Sequence, residues 1–513
     1  MRLTRRSMLQ LAGAQAALAG LGVPAWAQSR DAITIAFPTD VPTWDPNARV
    51  LVGVQSLYKA VFDSPLTQAP DLSARPHLVK AWRYRDAASL ELEVELRDDA
   101  VFHNGDKVTA EDFRFTFDER PKAPVPEGAR KLDTGFIWRK VRSVEVLSPT
   151  RAVMHFTEVM PSAVTWLYFL ASFVVPKTYV ERVGVAGFSA KPIGSGPYRL
   201  VEYQQGARMV LEAFDRYWGG SPKLKRVTVE IVQDASARVA AVDARRVDLA
   251  IDLPIREIAR LSRLPGIVGR IDPIADILII EVNNTGEFQR EEVRLAAHHA
   301  IDKQAISKAF YGGKAIPIAV PAAHGTPGYP KNFDFPHDEA LARSLLSTAG
   351  FSAAKPAKIG FYTSKGVFPN DFEVAQAIAQ MWKKVGIEAN LEVMEMTKYQ
   401  ELLRAGKLPE ATMYQWGNAT GDPEMYGGYL LDPKSIFSSY KSADLGERVS
   451  KLLVETDQAK REAGYRDLHA YAVQKGYSIP LFQGIKTVAY QNRLEFTPYA
   501  NGWTLPQGYA LKG

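Results

Sequence analysis

The chain has 513 residues, with 63 Lys and Arg against 57 Asp and Glu, and no cysteine. Without cysteine it can form no disulfide and carry no lipid anchor on cysteine, and thiolate metal sites and cysteine nucleophiles are excluded. The net charge is +6, but no segment shows the clustered Lys and Arg that would favour a nucleic-acid partner. The length predicts at least two domains.

The first 27 residues predict an exported protein. Arg5 and Arg6 precede a mild apolar run at 11–23 that is too short and too rich in Ala and Gly to stay in a membrane. Ala25-Trp26-Ala27 then supplies a small-x-small cleavage site. We therefore predict a twin-arginine signal peptide over residues 1–27 and a periplasmic mature protein; the alternative is a chance Arg pair before an amphipathic helix.

Strand and hairpin patterns dominate the next part of the chain. Apolar residues alternate with glutamates from Leu90 to Leu96, which predicts an antiparallel strand with one wet face. Alternation on both sides of Ser148-Pro149-Thr150 predicts a hairpin. Between them, Thr109 followed by acidic residues predicts the start of a helix.

From about residue 332 onward, helical and strand patterns alternate. The first predicted element is a helix from Asp338 to Gly350, with Leu341, Leu345 and Leu346 on its apolar face. The others are a helix over 375–385 ended by Gly386, a strand over 387–393, a helix opened by a capping box at Thr397 and ended by Gly406, and a strand over 411–416. This order predicts a doubly wound second lobe. Open α/β sheets bind ligands beyond the carboxyl ends of their strands, where the segment 417–423 falls.

No catalytic signature occurs in the sequence. The patterns G-x-S-x-G, H-E-x-x-H and G-x-x-x-x-G-K-[ST] are all absent, and the adjacent His298 and His299 cannot share one helical face as metal ligands. We therefore expect no catalytic residue, no metal site and no cofactor. Aromatic residues beside Pro or Gly are better candidates for a small-molecule site, namely Trp44, Trp416 and Phe482.

Four blocks, in order, resemble family 5 extracellular solute-binding proteins, which include peptide, nickel and glutathione binders of ABC importers. They are Leu96 to Asp106 followed by Thr109 to Phe113, Pro192 to Tyr198, Tyr217-Trp218, and Val293 to Lys303 with Gly312-Gly313.

The resemblance implies an α/β fold of two lobes, the periplasmic binding protein fold (type II-like, cluster C), with a ligand cleft between the lobes. Lobe I would comprise residues 28–275 and 486–513, with a subdomain inserted at about 65–185. Lobe II would comprise residues 276–485, and the hinges would lie near 270–280 and 480–490.

The resemblance also suggests site residues. It places a cleft tryptophan at Trp416, followed by a ligand-binding loop with Asn418, Ala419, Thr420 and Asp422, while Trp44 and Phe482 are further candidates. In the peptide binders, an aspartate of this loop pairs with the α-ammonium group of the peptide, and its position here is Ala419. A ligand without a standard free amino terminus is therefore expected, unless another acid lies in the cleft, with Asp422 the nearest candidate.

The function implied is that of a periplasmic substrate-binding protein that captures a peptide or peptide-like small polar solute. Its partner would be an ABC permease in the inner membrane, and we expect a monomer without lipid anchor or nucleic-acid partner. Binding of a nickel chelate, an opine or an oligosaccharide is the alternative, and a secreted enzyme or chaperone is the alternative of another class. No histidine lies between His337 and His469, which argues against imidazole ligation of nickel from the loop.

Overall fold

A computed structural model describes residues 31–49, 51–86, 88–124, 131–170 and 172–512. The predicted signal peptide at 1–27 lies outside these residues. Within them, no helix is both long enough and apolar enough to cross a bilayer.

The described residues form eighteen strands. They are β1 Ala32–Phe37, β2 Leu66–Gln68, β3 Ala74–Pro76, β4 Val79–Tyr84, β5 Glu91–Leu96, β6 Val141–Ser148, β7 Arg151–Phe156, β8 Tyr198–Gln204, β9 Arg208–Ala213, β10 Arg226–Ile231, β11 Leu249–Ile251, β12 Ile267–Val282, β13 Ala357–Thr363, β14 Ile387–Val393, β15 Ala411–Trp416, β16 Ser478–Gln491, β17 Leu494–Glu495 and β18 Ala510–Leu511.

Helices cover both faces of the strands. The α-helices are Gln55–Val61, Ala110–Arg114, Arg120–Lys122, Thr134–Ile137, Ala163–Trp166, Lys177–Ala190, Ala235–Asp243, Ile255–Leu261, Glu291–His299, Lys303–Tyr311, Glu339–Thr348, Asp371–Val385, Met396–Ala405, Ala443–Leu452 and Gln458–Gln474. Short 3-10 or π turns span Val52–Val54, Phe115–Glu119, Trp138–Lys140, Gly286–Gln289, Glu424–Gly428 and Pro506–Gly508.

Two long strands join the halves of one large sheet. Among the described residues, this mixed sheet has ten strands in the order β14-β13-β15-β12-β16-β11-β1-β10-β9-β8. The 16-residue β12 and the 14-residue β16 pair antiparallel at its centre. The chain therefore crosses twice between a half built around β13–β15 and a half built around β1 and β8–β11.

Each half of the sheet has its own hydrophobic core. One core gathers β1, the helix Gln55–Val61 and the strands β9 and β10, and another gathers the helix Asp371–Val385 with β13 and β15. A four-stranded antiparallel sheet, in the order β4-β5-β7-β6, carries a third core with Phe113, Phe117 and Trp138. The molecule thus consists of two lobes and a subdomain inserted into the first.

The predictions for the first part of the chain are confirmed with one correction. The strand is observed as β5 and the hairpin as β6 and β7, and Thr109 forms a capping box with Asp112. The predicted wet face of β5 is wrong at Glu93, which is buried. Arg151 and Arg83 bond its carboxylate and hold the pKa of Glu93 below its ordinary value, so the charge is compensated.

The predictions for the second lobe are confirmed in element type and corrected at two residues. Asp338 caps Glu339–Thr348 by accepting a hydrogen bond from the Leu341 amide, but the Leu341 side chain is exposed rather than packed. The helix predicted to open at Thr397 begins at Met396, and its N-cap Glu395 makes no side-chain cap, so the capping box there is wrong. Strand β15 has the predicted bounds and pairs parallel with β13, as a βαβ order requires.

Candidate functional site

A cavity of about 1320 Å³ lies between the two lobes. Its walls come from lobe I at Phe37 and Asp252, from the inserted subdomain at Phe136 and Trp166, and from lobe II at Phe368 and Trp416. The C-terminal segment 501–504 closes one side. Small-molecule pockets are ordinarily about 300–1,000 Å³, so this cavity can hold a ligand of drug size or larger.

Trp416 lies in the wall of this cavity, as its position at the end of β15 predicts. Its Cα pairs with Ile277 of β12, its Nε1–H donates to the Met425 carbonyl at 2.7 Å, and its ring packs edge-on against Phe437 at 5.5 Å. These contacts fix the indole in one orientation, with part of its surface left open to the cavity.

The predicted loop residues Asn418, Ala419 and Thr420 are buried and do not reach the cavity wall. Asn418 Oδ1 accepts hydrogen bonds from the amides of Thr420 and Gly421 and from the Thr420 hydroxyl. Ala419 packs in the core of the inserted subdomain. These side chains shape the loop and dock it on the subdomain, because short polar side chains readily satisfy backbone donors in turns.

Asp422 also faces away from the cavity, into an ion-pair network between lobe II and the subdomain. Its carboxylate accepts from Arg461 at 2.8 Å, from the Thr165 hydroxyl at 2.7 Å and from the Glu424 amide at 2.9 Å. Arg461 also bonds Glu424, which accepts from Ser162. These five residues, three from lobe II and two from the subdomain, join lobe II to the subdomain.

Trp44 and Phe482 are core residues. Trp44 is 2% exposed and packs edge-on against Tyr58 and Tyr203 in lobe I, while Phe482 is 2% exposed and packs against Tyr311 in lobe II. Proximity to Pro or Gly in the sequence suggested surface loops for both. Tertiary packing instead places both side chains in the hydrophobic cores of their lobes, and neither lines the cavity.

Asp276, which the sequence patterns did not single out, lines the cavity on the crossing strand β12. In the register of β12 with β16, Pro273 pairs with Ile485 and Ile277 pairs with Gln483, so three residues of β12 oppose the single Gly484. The bulge is held by the Ala275 amide, which donates to the Ala500 carbonyl at 2.7 Å. Such bulges re-aim a side chain, and here the carboxylate points into the cleft.

The bulge depends on the glycine that faces it. A Cβ on Gly484 would lie 2.8 Å from the Asp276 Cβ and 3.0 Å from its carbonyl oxygen, distances too short for a side chain. Glycine therefore permits the two crossing strands to approach closely at the point where Asp276 turns toward the cavity.

Burial raises the pKa of Asp276 to about 6. Two hydrogen bonds oppose that shift by stabilising the carboxylate: the Gln415 amide donates at 3.2 Å and the Asn418 backbone amide donates at 2.9 Å. Ionised at neutral pH, Asp276 is an anionic group in a largely apolar wall. The sequence signal for it was a single acid inside the apolar run 274–280.

The described residues contain no group of three or more His, Cys, Asp or Glu arranged to hold a metal ion, and no histidine of theirs lines the cavity. His469 is buried, with Nδ1 bonded to the Gly328 carbonyl at 2.8 Å. The arrangement is thus suited to holding an organic solute between apolar walls.

Comparisons with known proteins agree with this geometry. The family model of bacterial extracellular solute-binding proteins, family 5 (middle), matches residues 73–437. The nickel-binding protein NikA of Staphylococcus aureus is 24% identical over 83% of this chain and 80% of its own length, and heme-binding protein A of Haemophilus influenzae is 24% identical over 80% and 79%.

Among solved structures, DppA from Helicobacter pylori in complex with the peptide STSA superposes with a TM-score of 0.79, at 20% identity and over 94% of this chain and 98% of that chain. This likeness confirms the two-lobed α/β fold expected from the sequence. The family resemblance drawn from the sequence blocks is likewise confirmed.

Proposed function

Because the chain belongs to the bacterial extracellular solute-binding proteins of family 5, we propose that it captures a peptide or peptide-like small solute in the interlobe cavity and delivers it to an ABC permease. The observation that carries this proposal is the cavity of about 1320 Å³ whose walls come from both lobes. A solute that touches both walls stabilises the closed arrangement of the lobes, which a permease can distinguish from the open one.

We further propose that the protein binds the solute without converting it chemically. A nucleophile needs an adjacent base, and a hydrolytic metal needs a set of ligands. The cavity wall combines aromatic rings with polar groups that are bonded to one another, such as Lys486 with Asp252 and Gln415 with Asp276, which supports binding rather than turnover. The periplasmic protein would act as a monomer, with the permease as its partner in the inner membrane.

The proposal is tested by identifying what the protein holds. Protein purified gently from the periplasm should retain a small solute that native mass spectrometry identifies. The solute at about 100 times its Kd should stabilise the solute-free protein by about 2.7 kcal/mol in a thermal-shift assay. If no solute is retained, and neither peptides nor metal chelates shift the melting temperature, the proposed function is wrong.

A nickel chelate is the second candidate, favoured by the likeness to the nickel-binding protein of Staphylococcus aureus. Since the cavity wall lacks histidine among the described residues, such a chelate would have to bring its own nitrogen ligands. Tight binding of Ni²⁺ alone by the solute-free protein would contradict the peptide proposal. Binding only of a nickel–histidine complex would favour this second candidate.

We also propose export by the twin-arginine route, on the basis of Arg5 and Arg6. The double substitution Arg5→Lys and Arg6→Lys should leave precursor in the cytoplasm, because the pair is read by the export receptor. Fractionation followed by immunoblotting measures this, and the unchanged chain serves as control. Normal amounts of mature periplasmic protein from the double variant would contradict the proposed route.

A further inference from the structure

The carboxylate of Asp276 has acceptor capacity that the protein does not use. A carboxylate offers about four lone-pair sites, and the protein supplies two donors, from Gln415 and Asn418. None of the described Lys, Arg or His side chains forms an ion pair with it; the nearby Lys486 pairs with Asp252 at 2.8 Å. The free acceptor sites therefore face the cavity.

The two cationic side chains of the cavity wall are already occupied. Lys486 pairs with Asp252, as above. Arg238 donates to four backbone carbonyls, those of Ile251, Val232, Gln233 and Asp252, at 2.6–2.9 Å. Both cations thus stabilise lobe I, and neither compensates the charge of Asp276.

Two other carboxylates of the wall also have partners within the protein. Asp133 lies 3.7 Å from the Arg49 guanidinium, and Asp234 caps the helix Ala235–Asp243 by accepting from the Ala237 amide at 2.7 Å. With four carboxylates against two cations, the described wall has a net charge of −2 when all are ionised. Asp234 is exposed to solvent, whereas Asp276 is shielded from it and has no cationic partner among the described residues, so a cationic ligand can supply its counter-charge.

Aromatic rings lie on the same wall as Asp276. The residue that follows it in β12, Ile277, pairs with Trp416, and Tyr414 and Phe437 also line the cavity. The faces of aromatic rings attract cations, and a carboxylate beside such rings is a familiar arrangement for holding an organic cation. The carboxylate and the aromatic rings therefore both favour a positively charged organic ligand.

We propose that Asp276 binds a positively charged nitrogen of the solute, an ammonium or a guanidinium group. This deepens the proposed function and rests on it. A half-buried carboxylate without a counter-ion is costly, and a cationic solute reduces that cost on binding. The carboxylate absent at position 419 is thus replaced by one that reaches the cavity from the crossing strand, so the solute needs no blocked amino terminus.

The proposal predicts a pH dependence with a definite sign. In the free protein the pKa of Asp276 is about 6. Burial and the nearby Asp252 raise it, while the hydrogen bonds from Gln415 and Asn418 and the charge of Lys486 lower it. The phenols of Tyr414 and Tyr426 also face it, with pKa values raised by burial, and they stay neutral in this range. Affinity should fall roughly tenfold per unit below about pH 6, because the carboxyl must lose its proton to bind the cation. Above about pH 7 it should stay constant for a guanidinium group, whereas for an α-ammonium group it should fall again above about pH 8, where that group loses its proton.

The test compares the wild type with Asp276→Asn by calorimetry. The solute-free proteins are titrated with the retained solute and with three probes: Ala-Phe, which has an ammonium group, N-acetyl-Arg-Phe, which has only a guanidinium group, and N-acetyl-Ala-Phe, which has neither. Asn preserves the size of the side chain and the acceptor for the Asn418 amide. The control Asp272→Asn removes an equal charge from the same strand, at a position that pairs with Arg270 at 2.5 Å and lies outside the cavity wall.

We expect the wild type to prefer one or both cationic probes to N-acetyl-Ala-Phe by at least tenfold, and the preferred probe identifies the nitrogen group. Asp276→Asn should bind that probe at least tenfold more weakly and lose the fall in affinity below about pH 6, while Asp272→Asn changes affinity only a few-fold. The proposal is overturned if the retained solute carries no cationic nitrogen, if N-acetyl-Ala-Phe binds equally well, or if Asp276→Asn keeps wild-type affinity. In each of those cases a solute still binds and the proposed function stands, whereas the absence of any bound solute would overturn both.

Discussion

At the scale of single residues, Trp416 and Asp422 lie close together in the chain but have different surroundings. Trp416 faces the cavity, while Asp422 joins a buried ion-pair network. Trp416 and the adjacent Gly417 thus form part of the cavity wall, while the later residues of the segment attach lobe II to the subdomain. Substitutions at the two positions should separate binding from stability.

Trp416→Ala should weaken solute binding by about 1–3 kcal/mol, the usual contribution of a buried aromatic contact. The matched control is Trp382→Phe, because Trp382 is buried in lobe II and its Nε1–H donates to the Ala297 carbonyl at 2.7 Å. That variant should lower the melting temperature without changing affinity. Unchanged affinity in Trp416→Ala, measured by calorimetry, would make Trp416 a packing residue only.

Asp422→Ala should lower the free energy of unfolding by about 3 kcal/mol, because it removes a buried partner of Arg461 and an acceptor of Thr165. Solute affinity of the folded variant should be unchanged, since the carboxylate does not reach the cavity. Glu447→Ala is the control: it breaks an exposed pair with Lys451 and should have no measurable effect on unfolding in urea. A large loss of affinity with normal stability would instead make Asp422 a ligand contact.

At the scale of elements, the site depends on the paired crossing strands β12 and β16. The bulge at Asp276 requires a residue without a side chain on the facing strand, and Gly484 provides it. The position of the carboxylate is therefore a property of the strand pair rather than of either strand alone.

Gly484→Ala should destabilise the protein by about 1–3 kcal/mol, since its Cβ would lie 2.8 Å from the Asp276 Cβ and 3.0 Å from the Asp276 carbonyl oxygen. Gly446→Ala is the control, at a glycine where a Cβ has room. Gly446 lies inside the helix Ala443–Leu452, and a Cβ there would make only ordinary contacts at 3.6 Å and 3.8 Å with Pro433. This control should stabilise the protein by about 0.5–1 kcal/mol. Equal and small effects of both substitutions on thermal unfolding would contradict the close approach at Gly484.

At the scale of the whole molecule, apolar side chains stand exposed at the mouth of the cavity. Phe136 of the subdomain is 50% exposed and Ile436 of lobe II is 54% exposed, and both line the cavity. Exposed apolar groups on two facing parts of a molecule lose contact with water when those parts approach. We therefore expect the lobes to close further around a solute.

Cysteine labelling measures that closure, because the natural chain has no cysteine. Single variants Phe136→Cys and Ile436→Cys should react several-fold more slowly with a thiol reagent when the solute is saturating. Val185→Cys is the matched control, being 53% exposed on the helix Lys177–Ala190 and outside the cavity wall. Unchanged rates at 136 and 436, or equal slowing at all three positions, would contradict closure at the mouth.

The sequence by itself determined the family, the two-lobed α/β architecture and most elements of the second lobe. Those features depend on local signals. They are hydrophobic periodicity, the N-cap at Asp338, the helix ends at Gly386 and Gly406, which have a left-handed backbone conformation, and short family motifs that occur in the same order along the chain. It also predicted that Trp416 lies in the cavity wall, because a tryptophan at the carboxyl end of a strand lies where such sheets bind ligands; its contact with a solute stays a prediction.

Only the tertiary structure decided which polar and aromatic groups meet the solute. Trp44 and Phe482 were expected at the cleft and lie in the two cores, while Asp276 lines the cavity without any motif around it. Its direction is set by a bulge against Gly484, a residue that lies far from it in the chain. Periodicity and caps describe neighbours in sequence, whereas the register of two distant strands is fixed by the packing of both lobes, and a shift of one residue reverses the face on which a side chain lies.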